Sequence, residues 1–299
     1  MEFLEQYQTY LKEIETVMEE EFSVPELPQR EVFEAMRYGA LGGGKRVRPV
    51  LVMAVCRMLG GNLKDAALVG CAIECIHSYS LIHDDLPCMD DDDLRRGRPT
   101  CHKVFKENIA LLAGDGLLTR AFEILSDTSR YESMTSDAVL AVIRAVSVAA
   151  GAYGMIGGQV MDLACEGRTD VELEVLRLLH AKKTGELIGV SAACGCFCAG
   201  ILDKRDKRFE KIRQFSTKLG LAFQVKDDIL DVVGKEEVLG KPIGSDAESQ
   251  KTTFVSLMGL KEAERELERL TAEAKQALAG FEQAEFLLDF ADYLLNRSY

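Results

Sequence analysis

Carboxylates crowd residues 84–93, DDLPCMDDDD, and the next residues, LRRGRPT, bring Arg95, Arg96 and Arg98. Like charges a few Å apart repel by about 1 to 4 kcal/mol, depending on how much water screens them. Such a run either stands in solvent or holds a cation. A second acidic cluster, KDDILD at 226–231, places Asp227 and Asp231 four residues apart on one helical face, with Asp228 turned by about 100°. Both clusters adjoin strongly apolar helical stretches, and a carboxylate in a dry core does not stay ionised without a cation. Oxygen donors with no matching histidine set favour Mg²⁺ over zinc or copper. Carboxylates of these two clusters are therefore candidates for holding a metal ion. Magnesium typically joins a few carboxylates to phosphate oxygens. The three arginines, together with Lys45, Arg46 and Arg48 of GGGKRVRP at 42–49, are donors suited to such a phosphate.

Taken alone, DDDDLRR also reads as a solvated loop whose charges pair locally. Two acidic clusters together with glycine-flanked basic residues weigh toward a phosphate site. Glu74-x-x-His77 resembles half of a di-iron carboxylate motif, but the second Glu-x-x-His is missing. His83-Asp84 could belong to a metal phosphohydrolase, for which the chain has too few histidines. Nine cysteines include CGCFC at 194–198, whose apolar, small-residue surroundings indicate buried packing and reduced thiols rather than a metal site.

Apolar residues recurring at three and four positions predict helices near 2–21, 29–41, 46–59, 63–85, 107–127, 134–151, 153–165, 170–199, 204–232, 250–258, 260–278 and 282–296. Six prolines and no tryptophan in 299 residues agree with an all-α chain. No linker or repeat interrupts the pattern, so one helical domain over 1–299 is expected. A net charge of −13 argues against a nucleic-acid surface. The acidic N-terminus lacks the marks of a signal or transit peptide, and no uncharged run reaches the length of a membrane span. A cytoplasmic protein without a transmembrane segment is expected.

The strings LIHDDLPCMDDDDLRRGRPT, GGGKRVRP, KTGELI, FQVKDDILDVVG and LGKPIGSD lie within about residues 30–260, in the order of a known family's motifs. Together they resemble the short-chain trans-polyprenyl diphosphate synthases, and most nearly the bacterial farnesyl type. The resemblance implies an all-α, single-domain bundle of about a dozen helices around a deep central cavity, working as a homodimer. It implies Mg²⁺, three ions per site, held by Asp84, Asp85 and Asp90 and by Asp227, Asp228 and Asp231. An allylic diphosphate would be met by Arg95, Lys183, Lys241 and Lys251, and isopentenyl diphosphate by Lys45, Arg48, His77 and Arg96. Thr184 and Gln224 would steady an allylic cation.

Tyr79 and Ser80, about one helical turn before Asp84, would floor the cavity that limits product length. Their pairing resembles bacterial farnesyl diphosphate synthases, with core packing as the alternative. The insertion Pro87-Cys88 in the first motif is shared with geranylgeranyl synthases and does not settle length. KTTFV at 251–255 departs from the family's Lys-x-Thr-Tyr-Pro, which leaves the part of Lys251 open. Asp91, Asp92 and Asp93 receive no role. A terpene cyclase would not need GGGKRVRP, and a non-catalytic partner subunit would commonly lose one of the two acidic motifs.

Overall fold

The computed structural model describes residues 2–168, 170–233 and 251–295, so Lys241 and the expected helix ends at 250 and 296 lie outside the described residues. The chain divides into two compact units, residues 1–143 with 197–200 and residues 144–196 with 201–299. In chain order the helices are α1 (Phe3–Glu21), α2 (Arg30–Ala40), α3 (Val47–Met58), α4 (Leu63–Asp84), α5 (Cys101–Phe105), α6 (Glu107–Ser126) and α7 (Ser136–Ala150). They continue with α8 (Met155–Cys165), α9 (Leu173–His180), α10 (Glu186–Cys198), α11 (Lys207–Val233), α12 (Phe254–Met258), α13 (Leu260–Ala277) and α14 (Glu285–Leu295). The fold is all-α, as expected.

In the first unit α4 is the central element, packed against α3 and α6. Its start is set by Asn62, whose side chain accepts from the backbone N–H groups of Lys64 and Asp65 at 2.8 and 3.3 Å. Apolar residues around its whole circumference bury it, from Ala66 to Ile82. Its end precedes Pro87, which cannot continue the backbone hydrogen-bond ladder. By length and composition two stretches, Leu63–Asp84 and Ser136–Cys165, are apolar enough to cross a membrane once one or two charged residues are allowed within the span. The apolar window of the first is 72% buried inside the fold, which is what a core helix requires.

A short hairpin escaped the helical pattern. β1 (Leu94–Arg95) pairs antiparallel with β2 (Arg98–Pro99), Leu94 facing Pro99 and Arg95 facing Arg98. Arg96 and Gly97 turn the corner with φ of 53° and 73°, the positive values that a tight two-residue hairpin demands.

In the second unit α11 packs along α13. The single helix expected over 170–199 is interrupted: a π turn, Ala181–Gly185, separates α9 from α10. Such turns add a residue to the helical circuit and recur at functional sites. The backbone of α8 lies directly against this one. A Cβ on Gly158 would stand 2.2 Å from the backbone nitrogen of Lys183, so only glycine permits the approach.

Candidate active site

The first acidic motif lies where α4 gives way to a loop. The backbone N–H of Asp85 still bonds to Leu81 at 3.1 Å, and then the chain folds back, with the N–H of Asp90 donating to the Asp84 carbonyl at 2.9 Å. That return brings Asp90 beside Asp84 despite six residues of separation. Asp85 is 3% exposed and is gripped by Arg95, whose Nε lies 2.7 and 2.9 Å from its two oxygens. Burial holds the Asp85 carboxyl above the usual carboxylate range, with the Arg95 hydrogen bond and charge opposing the shift. Burial also works against the Arg95 charge, yet Asp85, Asp92 and Asp84 outweigh it and strengthen the guanidinium's hold on its proton. Charge-assisted bonds of this fork geometry are about twice as strong as neutral ones, so the hairpin is fastened to the end of α4. Asp92 stands 3.7 Å from Arg95, and Asp93 pairs with Lys103 at 2.5 Å. These two members of the run are thus engaged locally.

Two turns earlier, His77 sits among cations. Its basicity is lowered far below the ordinary histidine value, first by burial and then by Arg48, Arg96, Arg95 and Arg46, so the ring stays neutral. Arg46 is 4% exposed, has a left-handed φ of 47°, and reaches Glu74 at 2.9 Å. Glu74 is therefore the counter-charge of an arginine, not a metal ligand. Arg96 donates to the carbonyl of Gly43, and a Cβ on the neighbouring Gly44 would meet its guanidinium at 2.5 Å. With Gly44 at φ +127°, the glycine loop both bends and makes room for the arginine. Tyr7 hydrogen-bonds the Lys45 carbonyl at 2.5 Å and holds the loop from the other side. Arg98 lies over the Tyr38 ring, 4.5 Å from its centre.

The side chains of α4 divide by face. His77, Ser80 and Asp84 share one, and the Ser80 hydroxyl donates to the His77 carbonyl at 2.9 Å. Tyr79 is buried edge-on against His83, with ring centres 5.7 Å apart. Its hydroxyl has no hydrogen-bond partner among the described residues, and burial, aided by Asp84, pushes it up to about 12. A third face borders a cavity of about 50 Å³ lined by Ser78, Leu81, Ile82, Asp85, Arg95 and Arg96, among others.

In the second unit the π turn carries Lys183 and Thr184. Lys183 Nζ lies 2.5 Å from Asp162 of α8. Thr184 donates to the Gln224 side-chain oxygen at 3.1 Å, and the Gln224 amide donates to Asp228 Oδ1 at 3.2 Å. The other oxygen of Asp228 accepts the backbone N–H of Phe254 at 2.7 Å. Of the second motif, Asp227 and Asp231 are half-buried on one side of α11, whereas Asp228 is 3% exposed with both oxygens engaged. Lys251 is half-buried at the start of the segment that leads into α12.

Asp84 with Asp90, and Asp227 with Asp231, offer the oxygen-only chemistry of a hard dication. Among the described residues no three His, Cys, Asp or Glu side chains converge on one point. A dication would thus draw few ligands from one motif and complete its shell with water or phosphate oxygens, which is the habit of Mg²⁺ rather than Ca²⁺.

Sequence reasoning did not find Asp162, Glu74 as the partner of Arg46, or the clamp made by Asp228. For Asp162 a signal existed in the paired glycines of GGQVMD, which mark a close backbone approach. For the other two, the partners lie 28 and 26 residues away, with nothing local to announce them.

Residues 29–286 match the model of the family described as polyprenyl synthetase, and the chain belongs to that family. It is a prenyltransferase of all-α build, in a trans-prenyltransferase family that uses isoprenyl diphosphates. The farnesyl diphosphate synthase of Escherichia coli is 42% identical over the whole of both chains. The geranylgeranyl diphosphate synthase of Cyanophora paradoxa is 40% identical, covering 97% of this chain and 96% of that one. Among solved structures, a geranyltransferase from Helicobacter pylori complexed with magnesium and isoprenyl diphosphate is 35% identical. It covers 99% of this chain and 97% of its own, with a TM-score of 0.85.

Proposed function

We propose that this prenyltransferase is a Mg²⁺-dependent farnesyl diphosphate synthase, condensing isopentenyl diphosphate with dimethylallyl and then geranyl diphosphate. The observation that carries it is the division of charge along the last turns of α4. Asp84 and Asp90, joined through a backbone hydrogen bond, supply metal-type donors, and two turns away the charges of Arg46, Arg48, Arg95 and Arg96 act on a neutral His77. The first set suits a diphosphate that arrives with its cation; the second suits one that arrives without. Two diphosphates of different role are what such a condensation needs.

Bound Mg²⁺, three ions in this proposal, would act as a Lewis acid on the departing diphosphate, held by Asp84 and Asp90 and by Asp227 and Asp231, with Asp85 and Asp228 in their motifs. Arg95 and Lys183, steadied by Asp85 and Asp162, donate to the oxygens of the allylic diphosphate, with Lys241 and Lys251 as further donors. Lys45, Arg48, Arg96 and the neutral ring of His77 bind isopentenyl diphosphate. Ionisation leaves an allylic cation near Thr184 and Gln224, the isopentenyl double bond attacks it, and the released diphosphate takes the proton. No side chain forms a covalent bond. The magnesium and isoprenyl diphosphate of the Helicobacter pylori complex support this assignment.

The fifteen-carbon product is supported by Tyr79, buried about a turn before the first motif, and by the Escherichia coli relative. The Cyanophora paradoxa relative favours twenty carbons instead. A homodimer belongs to the same proposal, supported by the exposed apolar stripe Ile156, Val160 and Leu163 on α8. Incubation with Mg²⁺, dimethylallyl diphosphate and labelled isopentenyl diphosphate, with products sorted by carbon number, decides it. A twenty-carbon product sinks the farnesyl assignment. Tyr79→Ala is expected to lengthen the product and Ser80→Phe to shorten it; unchanged distributions would show that neither forms the floor.

A further inference from the structure

Asp228 belongs to the second acidic motif by sequence but is built into the protein differently from its neighbours. It is 3% exposed, and its oxygens accept from the Phe254 backbone at 2.7 Å and from the Gln224 amide at 3.2 Å. A carboxylate only accepts hydrogen bonds, so Gln224 must turn its NH₂ toward Asp228 and its carbonyl oxygen away. That oxygen lies 3.1 Å from the Thr184 hydroxyl and therefore takes the hydroxyl's one proton. The direction of every bond in the row follows from the charge at its far end. Thr184 is left with only lone pairs to present to whatever stands before it.

We propose that Asp228 is a positioning residue and not a metal ligand: through Gln224 it orients Thr184 so that an electron-rich oxygen, not a proton, meets the developing allylic cation. This rests on the prenyl-transfer mechanism proposed above. An outward proton would serve as a donor to an anion but repel a cation. The same carboxylate holds the N–H of Phe254, the first residue of α12, and so couples the polarity of Thr184 to the segment that begins at Lys251.

Exchanging the two polar groups tests the polarity. In Asp228→Asn the backbone N–H of Phe254 retains the amide oxygen, the new NH₂ turns to Gln224, and the Gln224 amide reverses. The Thr184 proton is then released outward. In Gln224→Glu two carboxylates face each other in a buried position. In the double variant Asp228→Asn/Gln224→Glu the two outer bonds keep their original direction and only the middle one reverses: the introduced asparagine accepts from Phe254 and donates to the introduced glutamate, which in turn accepts from Thr184.

Thermal melts of the full chain should put Gln224→Glu about 3 °C or more below the unmodified protein, with the double variant recovering most of the loss. With Mg²⁺, geranyl diphosphate and labelled isopentenyl diphosphate, Asp228→Asn should lower kcat about 10-fold to 100-fold while KM for both diphosphates stays within about threefold. The double variant should regain most of that kcat. A double variant no better than Asp228→Asn in turnover and no better than Gln224→Glu in melting overturns the proposal. So does an Asp228→Asn protein that needs about tenfold more Mg²⁺ for half-maximal rate, the mark of a lost ligand. Absence of product from the unmodified chain overturns the cation role together with the functional assignment, whereas the melts decide the bond polarity by themselves.

Discussion

At the scale of single residues, the site depends on side chains whose geometry, beyond their charge, does the positioning. Arg95 grips Asp85 through a planar fork, with Nε within 2.9 Å of both oxygens and a terminal nitrogen 2.5 Å from one of them. Lysine carries the same charge but cannot make that contact. Arg95→Lys is therefore expected to lower kcat/KM about 10-fold to 100-fold, with the helical circular-dichroism signal unchanged. A variant within twofold of the parent would show that charge alone suffices. His180 makes a different point: it stacks on Phe254 with ring centres 5.4 Å apart, and both its ring nitrogens are buried without partners among the described residues. Burial lowers its basicity to about 4, Lys183 assisting and Asp162 opposing. Above about pH 6.5 the ring is neutral whether the chain is folded or unfolded. Between about 6.5 and 4 the unfolded ring binds a proton that the folded one does not, so stability falls as pH falls through that window. The loss is on the order of 3 kcal/mol, since each tenfold difference in proton affinity corresponds to about 1.4 kcal/mol. Urea melts at pH 7 and pH 4.5 should show His180→Phe losing less stability than the parent. Equal losses would exclude this residue as the cause.

At the scale of elements, buried carboxylates hold loops to helices. Asp65, fully buried in the first turn of α4, accepts from the backbone N–H groups of Glu132, Ser133 and Met134 and from the Ser133 hydroxyl, all at 2.7–3.0 Å. It lies near a helix N-terminus, where negative charge is favoured. Removing the buried carboxylate in Asp65→Ala takes the acceptor from four partly buried donors and should cost about 2–4 kcal/mol in a urea melt. Product length should not change, because this residue is at the opposite end of α4 from Asp84. A shift in product length would mean that the helix transmits the disturbance along its whole length. The hairpin β1–β2 and the π turn show the same economy: each is short, and each presents two or three of the cationic and polar groups used by the site.

At the scale of the whole molecule, a net charge of −13 coexists with a concentrated basic patch in the first unit. The sum argues against a polyanion-binding surface, whereas the local concentration suits a small diphosphate. Each unit has its own apolar core, with α4 against α3 and α6 in one and α11 against α13 in the other. Helical structure is therefore expected to persist without a metal. Under the proposed function, chelation with excess EDTA should abolish prenyl transfer while leaving the far-ultraviolet circular dichroism unchanged, and added Mg²⁺ should restore turnover. Turnover that survives chelation would sink the metal-dependent mechanism.

Much of this is legible in the order of the residues. Helical periodicity locates nearly every long helix to within a few residues, because burial of an apolar face depends on spacing along the chain. The aspartates of 84–93 and the arginines that follow stand out because like charge at such density is unfavourable unless something offsets it, and the resemblance to a family motif singles out Asp84, Asp85, Asp90, Arg95 and Arg96 among them. The π turn at Ala181–Gly185 is not legible: AKKTG is compatible with an ordinary helix, and what distinguishes the turn is the close contact of α8 through Gly158. The return of Asp90 onto Asp84 and the left-handed Arg46 are likewise outcomes of packing. Asp228 is the clearest instance. Sequence spacing sets it apart only by its angle on the helix, and by residue type it groups with Asp227 and Asp231. Tertiary structure decides its partners, because a hydrogen bond to Phe254 depends on distance in space and not on position in the chain.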